Sequence, residues 1–229
     1  MPGRIDLHMH TTFSDGELIP GEALQRAVAL EYEALALTDH CDASNIDIIV
    51  PAMVRFAREQ AHLYPITFLV GVELTHVPPA LVAPLAQRAR RLGAQVVLVH
   101  GETVVEPVQP GTNLAAASCP DVDVLAHPGL IDDETVRAAT ANGVHLEISG
   151  RKGHSLGNGR VAQRALRYGA TLVVDSDAHS PSDMFGLAHA AAVAAGAGLD
   201  ADQVEAATVR NPAALVRRCL ERDRLAEGR

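Results

Sequence analysis

Seven short apolar segments recur along this chain of 229 residues, and most of them are followed by a longer stretch with helical periodicity. The segments are apolar at successive positions rather than at alternate ones, which is typical of strands buried on both faces of a parallel sheet. The predicted helices between them include Pro79–Leu92 and Asp133–Asn142. The predicted strands are Arg4–His8, Ala34–Thr38, Thr67–Glu73, Ala94–His100, Val122–His127, Val144–Ser149 and Thr171–Asp175.

This pattern predicts an α/β fold, and seven strand–helix units favour a closed or nearly closed barrel over an open sheet. An open doubly wound sheet stays an alternative, because the spacing of strands along a chain does not show whether the sheet closes. We find no low-complexity segment and no linker, so a single domain is expected over residues 1–229. Its core is expected at about 4–215, before a charged C-terminal tail.

Composition and charge narrow the range of partners and compartments. Aromatic residues make up only 3% and the net charge is −9, so a long nucleic acid is not an expected partner. Three cysteines without a CxxC pair argue against a disulfide framework and fit a reducing compartment. No secretion signal or membrane span is recognised, so a cytoplasmic location is expected, while the oligomeric state is left open.

Six of the seven predicted strands end in, or run directly into, His, Asp or Glu. In a parallel α/β barrel the carboxyl ends of all strands open onto one face, so these side chains should converge. A single histidine after an apolar strand is usually a packing residue, but burying so many titratable groups without an ion would be very costly. The ionisable residues at or just after these strand ends are His8, His10, Asp15, Asp39, His40, Glu73, His100, His127, Asp175, Asp177 and His179.

The chemistry of these donors limits the kind of metal site. Imidazole and carboxylate without thiolate suit Zn²⁺, Mn²⁺ or Fe²⁺ and do not suit a structural zinc finger. There are too many donors for one tetrahedral ion, so two or three divalent ions are expected. Glu73 is the candidate for a carboxylate that bridges two of them.

The ordered segments DLHMHTTFSDG, LTDH, GVEL, LVHGE, LAHPG and DSDAH resemble the motifs of the PHP (polymerase and histidinol phosphatase) superfamily over roughly residues 4–215. EISGRKGHSLGNG with DSDAHSP is most similar to its stand-alone, histidinol-phosphatase-like members. The resemblance implies a distorted (β/α)7 TIM-like barrel with a trinuclear centre, in which Asp15 stands where some members have His. Matched by position, it implies three ligand sets: His8, His10, Glu73 and Asp177; Glu73, His100 and His127; and Asp15, His40 and His179.

Two metals that share Glu73 can also share a water and lower its pKa toward neutrality. The expected reaction is therefore hydrolysis of a small-molecule phosphate monoester by the bridging hydroxide, with histidinol phosphate among the substrates that the family suggests. The loop after the sixth predicted strand is expected to bind the phosphate through Arg151, Lys152 and His154, although Lys152 fits a solvated basic turn equally well. Either His154 or Asp39 is a candidate to protonate the leaving oxygen.

Three other functions are alternatives to the hydrolysis of a phosphate monoester. A phosphodiesterase or exonuclease acting on nucleotides, cyclic phosphates or short oligonucleotides is the main alternative, because the same centre can hydrolyse diesters. An amidohydrolase-like C–N hydrolase is disfavoured, since the single lysine, Lys152, does not follow a middle strand where a bridging carbamylated lysine is expected. A structural module that has lost its chemistry would lack ligands, whereas all nine positions are filled here.

Overall fold

The computed structural model describes residues 2–227 and contains a nearly closed barrel of seven parallel strands. An eighth, two-residue strand, β3, continues the line of β2 and pairs with β4. The strands are β1 (Arg4–Asp6), β2 (Tyr32–Leu37), β3 (His40–Cys41), β4 (Thr67–Leu74), β5 (Val96–His100), β6 (Val124–Ala126), β7 (His145–Ser149) and β8 (Leu172–Asp175). The distorted (β/α)7 barrel predicted from the sequence is therefore confirmed, and the open sheet is excluded.

Helices follow the strands and cover the outside of the barrel. A five-residue π-helical segment, Ala206–Arg210, joins the last two of them. Within residues 2–227 no helix is both long enough and apolar enough to cross a bilayer. The helices are α1 (Pro20–Ala29), α2 (Ile46–Glu59), α3 (Pro79–Leu92), α4 (Thr112–Ala117), α5 (Asp133–Asn142), α6 (Asn158–Tyr168), α7 (Leu187–Gly196), α8 (Ala201–Glu205) and α9 (Asn211–Glu227).

The barrel is distorted where β8 meets β1, because side chains take the place of a continuous backbone ladder. The Arg4 guanidinium donates to the carbonyl of Val174 at 2.7 Å, and the Asp175 carboxylate accepts from the amide of Leu7 at 2.7 Å. Beyond these contacts, an isolated bridge joins Met9 to Ala178. These bonds satisfy backbone groups that an incomplete ladder would leave buried without partners.

Helix α9 closes the barrel at the end where the strands begin. Its side chains Leu215, Val216 and Cys219 are buried against the apolar interior of the barrel. The charged segment after Glu221, expected as a tail, continues this helix, and Arg222 reaches the buried carboxylate of Asp123 at 3.1 Å. Part of the predicted tail therefore belongs to the packed structure.

Asp123 is fully buried at this end of the barrel and is paired with three guanidinium groups. Its oxygens lie 2.5 Å from Arg90, 3.2 Å from Arg218 and 3.1 Å from Arg222, and one also accepts the amide of Val97. Burial alone would raise the pKa of Asp123, but the arginines overcome that effect and hold the pKa below its ordinary value. The carboxylate is thus ionised and joins α9 to the barrel.

We expect Asp123→Asn to lower the free energy of unfolding by about 3 kcal/mol, because three guanidinium groups lose their shared counter-charge. Since the folded-state pKa is depressed, this stabilisation is present above about pH 4 and is lost as the pH falls through the folded-state pKa. Urea unfolding of the wild type, the variant and the neighbouring control Asp121→Asn at several pH values measures both effects. A variant as stable as the wild type at pH 7 would contradict this account.

Candidate active site

A cavity of about 270 Å³ opens at the carboxyl ends of the strands. The structure brings all nine candidate ligands together beneath and around this cavity, although they are spread over most of the chain. Each comes from the end of a strand or the loop that follows it, as the barrel topology predicts. Its lining residues are Asp15, His40, Thr75, His76, His100, Glu106, Arg151, His154, Asp177 and His179.

Glu73, at the end of β4, lies at the centre of the cluster and is fully buried. One of its oxygens lies 3.3 Å from a ring nitrogen of His100 and 3.3 Å from one of His127. Its two oxygens together lie within 4 Å of ring nitrogens of His8, His10, His40, His100 and His127. A carboxylate in this position can share its two oxygens between neighbouring ions.

Two further carboxylates lie on either side of this centre. Asp177 Oδ1 lies 3.3 Å from His10 Nε2 and 3.6 Å from His8 Nε2. Asp15 Oδ1 lies 3.3 Å from His40 Nε2 and 3.2 Å from His179 Nε2. Ligand atoms close enough to hold one ion occur in the groups His8–His10–Asp177, Glu73–His100–His127 and His10–Asp15–His40–His179.

The donor atoms of this cluster fit divalent metal ions. His8 Nε2, both ring nitrogens of His10 and Glu73 Oε1 are buried and make no hydrogen bond. A buried polar atom without a partner costs free energy, and this cost falls if the atom coordinates a cation. The imidazole and carboxylate donors are those that Zn²⁺, Mn²⁺ and Fe²⁺ accept.

The histidines of the cluster differ in their affinity for protons. Burial lowers the pKa of His10 to about 4. Burial also opposes protonation of His40 and His100, but the nearby Glu73 carboxylate raises their pKa to about 10 and about 9. Protons on His40 and His100 must therefore leave when a metal binds, so metal affinity should fall as the pH falls.

Glu147 is a buried carboxylate beneath the cluster that the sequence interpretation missed. Its Oε1 lies 2.9 Å from His8 Nδ1, and its Oε2 accepts the backbone amide of His127 at 2.6 Å. A carboxylate on Nδ1 fixes the ring of a metal-binding histidine and leaves Nε2 to face the metal. The sequence signal that could have identified Glu147 is one acidic residue within the apolar run of β7, the one predicted strand without a candidate metal ligand at its end.

We expect Glu147→Gln to weaken metal binding by about 10- to 100-fold while the chain stays folded. The amide group has only one oxygen, so it cannot accept from both His8 and the backbone of His127. Competition with a chelating dye measures the affinity, and circular dichroism checks the fold. A folded variant with unchanged metal affinity would show that Glu147 does not position these ligands.

The two candidates for the general acid lie in environments that argue against that role. The Asp39 carboxylate accepts from the amide and hydroxyl of Thr11 and from the hydroxyl of Ser14, and it does not line the cavity. Asp39 therefore anchors the loop that carries Asp15. His154 does line the cavity, but burial lowers its pKa to about 4, so it is neutral at pH 7.

The three residues predicted to bind phosphate are not equally placed. Arg151 lines the cavity, where its guanidinium lies 2.7 Å from His179 Nδ1 and donates to the carbonyl of Asp177 at 3.1 Å. The ring of His154 stacks on that of His127, with centroids 4.1 Å apart. Lys152 is exposed and does not line the cavity.

Glu106, on the loop after β5, is a second cavity residue that the sequence interpretation did not identify. Its Oε2 lies 2.9 Å from His100 Nε2 and 3.4 Å from His76 Nε2, and its Oε1 lies 3.4 Å from His154 Nε2. Nothing in the sequence singled it out, because the loop has no periodicity and Glu106 comes several residues after the end of β5 along the chain.

The barrel and its cavity lined by imidazoles and carboxylates define a metal-binding α/β protein. The sequence profile of the PHP domain family matches residues 6–155, more than half of the chain. The chain therefore belongs to the PHP domain family.

Two curated proteins resemble the chain in sequence. An uncharacterized protein of Methanocaldococcus jannaschii is 44% identical over 217 residues, which are 94% of this chain and 99% of that protein. The 3′,5′-nucleoside bisphosphate phosphatase of Chromobacterium violaceum is 33% identical over 113 residues, which are 40% of this chain and 38% of that enzyme.

The fold also occurs in solved structures, among them the following two. A chain in the structure of archaeal ribonuclease P with mature tRNA superimposes with a TM-score of 0.70 at 16% identity, covering 96% of this chain and 92% of that one. Histidinol phosphate phosphatase of Lactococcus lactis, solved with zinc, L-histidinol and phosphate, gives a TM-score of 0.59 at 16% identity, covering 86% and 94%. At this level of identity the two structures establish the fold alone.

Proposed function

We propose that this chain, acting as a single domain, hydrolyses a small-molecule phosphate monoester with two or three divalent metal ions. The observation that carries the proposal is the placement of a complete donor set and one guanidinium, that of Arg151, around the same cavity. At about 270 Å³ the cavity is at the small end of the range for ligand pockets, which suits a phosphate group with a compact leaving group.

The donor geometry supports an assignment of the nine residues to three ions. His8, His10, Glu73 and Asp177 hold the first; Glu73, His100 and His127 hold the second; and Asp15, His40 and His179 hold the third. When bound, these ions supply positive charge for the phosphoryl oxygens and lower the pKa of the attacking water.

The side chains of the protein supply position and charge. Glu73 would contribute to holding two ions, because its two oxygens lie among five imidazoles and the side chain is fully buried. Glu147 fixes the ring of His8 and the backbone that carries His127. Arg151, about one third exposed on the cavity wall, offers parallel donors to the non-bridging oxygens of the phosphate.

The roles of the remaining predicted residues follow from their contacts. Asp39 positions the loop of Asp15 and is not proposed as the acid. His154 stays neutral beside the cavity and contacts the substrate as a hydrogen-bonding group, with its Nδ1 held by the hydroxyl of Thr103 at 2.7 Å. Lys152 is an exposed, solvated residue of this loop and is not proposed to contact the phosphate.

The experiment is a panel of phosphate esters offered to protein loaded with Mn²⁺, Zn²⁺ or Fe²⁺. L-histidinol phosphate and a 3′,5′-nucleoside bisphosphate represent the monoesters on which the related enzymes act. A bis-aryl phosphate represents the diesters. We expect at least one monoester to reach a kcat/KM near ~10⁴ M⁻¹s⁻¹, with no turnover after chelation. A metal-replete protein that cleaves only the diester would replace this proposal with the phosphodiesterase alternative.

A further inference from the structure

Glu106 and His76 form the outer edge of the cavity and have no part in the nine-residue donor set. The side chain of His76 is 46% exposed and that of Glu106 is 37% exposed, whereas that of His100 beneath them is 4% exposed. The carboxylate of Glu106 points inward and lies within 3.4 Å of imidazole nitrogens of both histidines. A cluster of donors therefore extends from the buried centre to the solvent.

The two nitrogens of His100 face opposite sides of its ring. Nδ1 lies 3.3 Å from Glu73 Oε1, on the side of the central donors. Nε2 lies 2.9 Å from Glu106 Oε2, on the side of the cavity mouth, and this buried atom makes no hydrogen bond of good geometry. The imidazole of His100 thus belongs to two donor groups at once.

The backbone conformation of His76 places its ring beside that of His100. His76 adopts a left-handed conformation with φ +52°, which is uncommon for any residue other than glycine and is strained. This conformation brings its ring to 4.9 Å from the ring of His100, measured between centroids. The ligand atoms of His76, His100 and Glu106 lie within 4.8 Å of one another, close enough to hold one ion.

We propose that His76, His100 and Glu106 form an accessory metal site at the mouth of the cavity. Two imidazoles and a carboxylate match the donors of a Zn²⁺ site that keeps further positions open to solvent. The set suits a transition metal better than it suits an ammonium group, because two of its three donors are ring nitrogens. An ion bound here would use His100 Nε2; when Nδ1 already holds a central ion, the ring would bind both ions as an imidazolate, and the Nε2 proton would be released to solvent.

Occupation of this site has a consequence for catalysis that rests on the proposed function. The ion lies between the solvent and the central donors, so it narrows the path by which a phosphate ester enters. It also competes with the second central ion for electron density on His100. Zinc in excess of the central equivalents is therefore an inhibitor of this enzyme.

The first test counts ions, and it does not depend on activity. Metal-stripped full-length protein is dialysed against rising Zn²⁺, and the bound zinc is measured by mass spectrometry. The wild type should bind one more, weaker equivalent than His76→Ala, whereas the control His62→Ala should match the wild type. His62 is an exposed histidine that precedes β4, at the opposite end of the barrel. Equal zinc stoichiometry in wild type and His76→Ala would overturn the accessory site.

Two further experiments distinguish the loss of a metal ligand from an indirect effect of the His76→Ala change. The first uses the Glu106→Gln variant, and the second uses a crystal soaked in zinc. The glutamine keeps the size of the side chain and removes its charge, so it should lose the same weak equivalent. An anomalous difference peak at the zinc edge should lie between Glu106 and His76. Peaks at the central donors alone would reject the proposal.

Inhibition is then measured on whichever ester the wild type cleaves. The Zn²⁺ concentration that halves activity should rise at least about tenfold in His76→Ala relative to the wild type and to His62→Ala. Unchanged inhibition would overturn the inhibitory role. If no ester is cleaved, the proposed function fails while the zinc count still decides whether the accessory site exists.

Discussion

Replacing Glu73 with glutamine is expected to remove the two metal ions that share this carboxylate, and the phosphatase activity with them, from a chain that still folds. Glu73 is the buried carboxylate whose oxygens lie within 4 Å of five histidines, so it contributes to two of the three proposed ligand sets. The amide has the same size but carries no charge, and one of its two terminal atoms can no longer coordinate a cation. Metal analysis and phosphate release measure the two losses, and we expect activity to fall below detection.

The matched control is Glu102→Gln, a change of the same kind on the same face of the barrel. The carboxylate of Glu102 accepts the amides of Gly111 and Asn113 at the start of α4 and does not line the cavity. Metal content and activity should therefore survive this change. A Glu73→Gln variant that retains its full metal content and its activity would refute the bridging role.

Removing the guanidinium of Arg151 is expected to have the second largest effect. We expect Arg151→Gln to lower kcat/KM by about 10²- to 10³-fold, because the developing charge on the phosphoryl oxygens loses a positioned donor. Steady-state kinetics on the best monoester measures this loss. The metal content is determined in parallel, since the guanidinium also lies 2.7 Å from a nitrogen of His179.

Lys152→Gln is the control for the Arg151 variant, because it removes a positive charge from the adjacent position. Lys152 is exposed and lies outside the cavity lining, so its change should alter kcat/KM by no more than about twofold. Comparable losses in the two variants would show that the loop acts through its general positive charge. That result would contradict a specific contact between Arg151 and phosphate.

The fold could be predicted from the sequence because most of the strands are largely apolar runs that end at or just before a polar residue. The observed bounds of α3 and α5 equal the predicted ones, since Gly93 and Gly143 end these helices in the left-handed conformation. The two-residue strand β3 was not predicted, because so short a segment has no periodicity. Closure of the sheet depends on long-range contacts across β1 and β8, which no local pattern encodes.

The candidate ligands could also be located, because barrel topology gathers the ends of the strands. What the sequence could not supply is the direction in which a side chain points. Asp39 and His40 are neighbours, yet Asp39 turns toward the loop of Thr11 whereas His40 faces the cavity. Glu147 left one sign in the sequence, an acidic residue within the apolar run of β7, whereas Glu106 reaches the cluster from a loop without periodicity and left none.

The most direct test of the metal-dependent centre is a titration of metal-stripped protein with Mn²⁺ in which bound metal and phosphate release are followed together. We expect activity to be absent at the start, to rise as the central ions bind, and to level off at two or three equivalents per chain. The Glu73→Gln variant should fail to bind the two ions that share Glu73 and should show no activity at any point. Phosphate release by the metal-stripped protein, or full metal loading without release from any phosphate ester, would contradict the account.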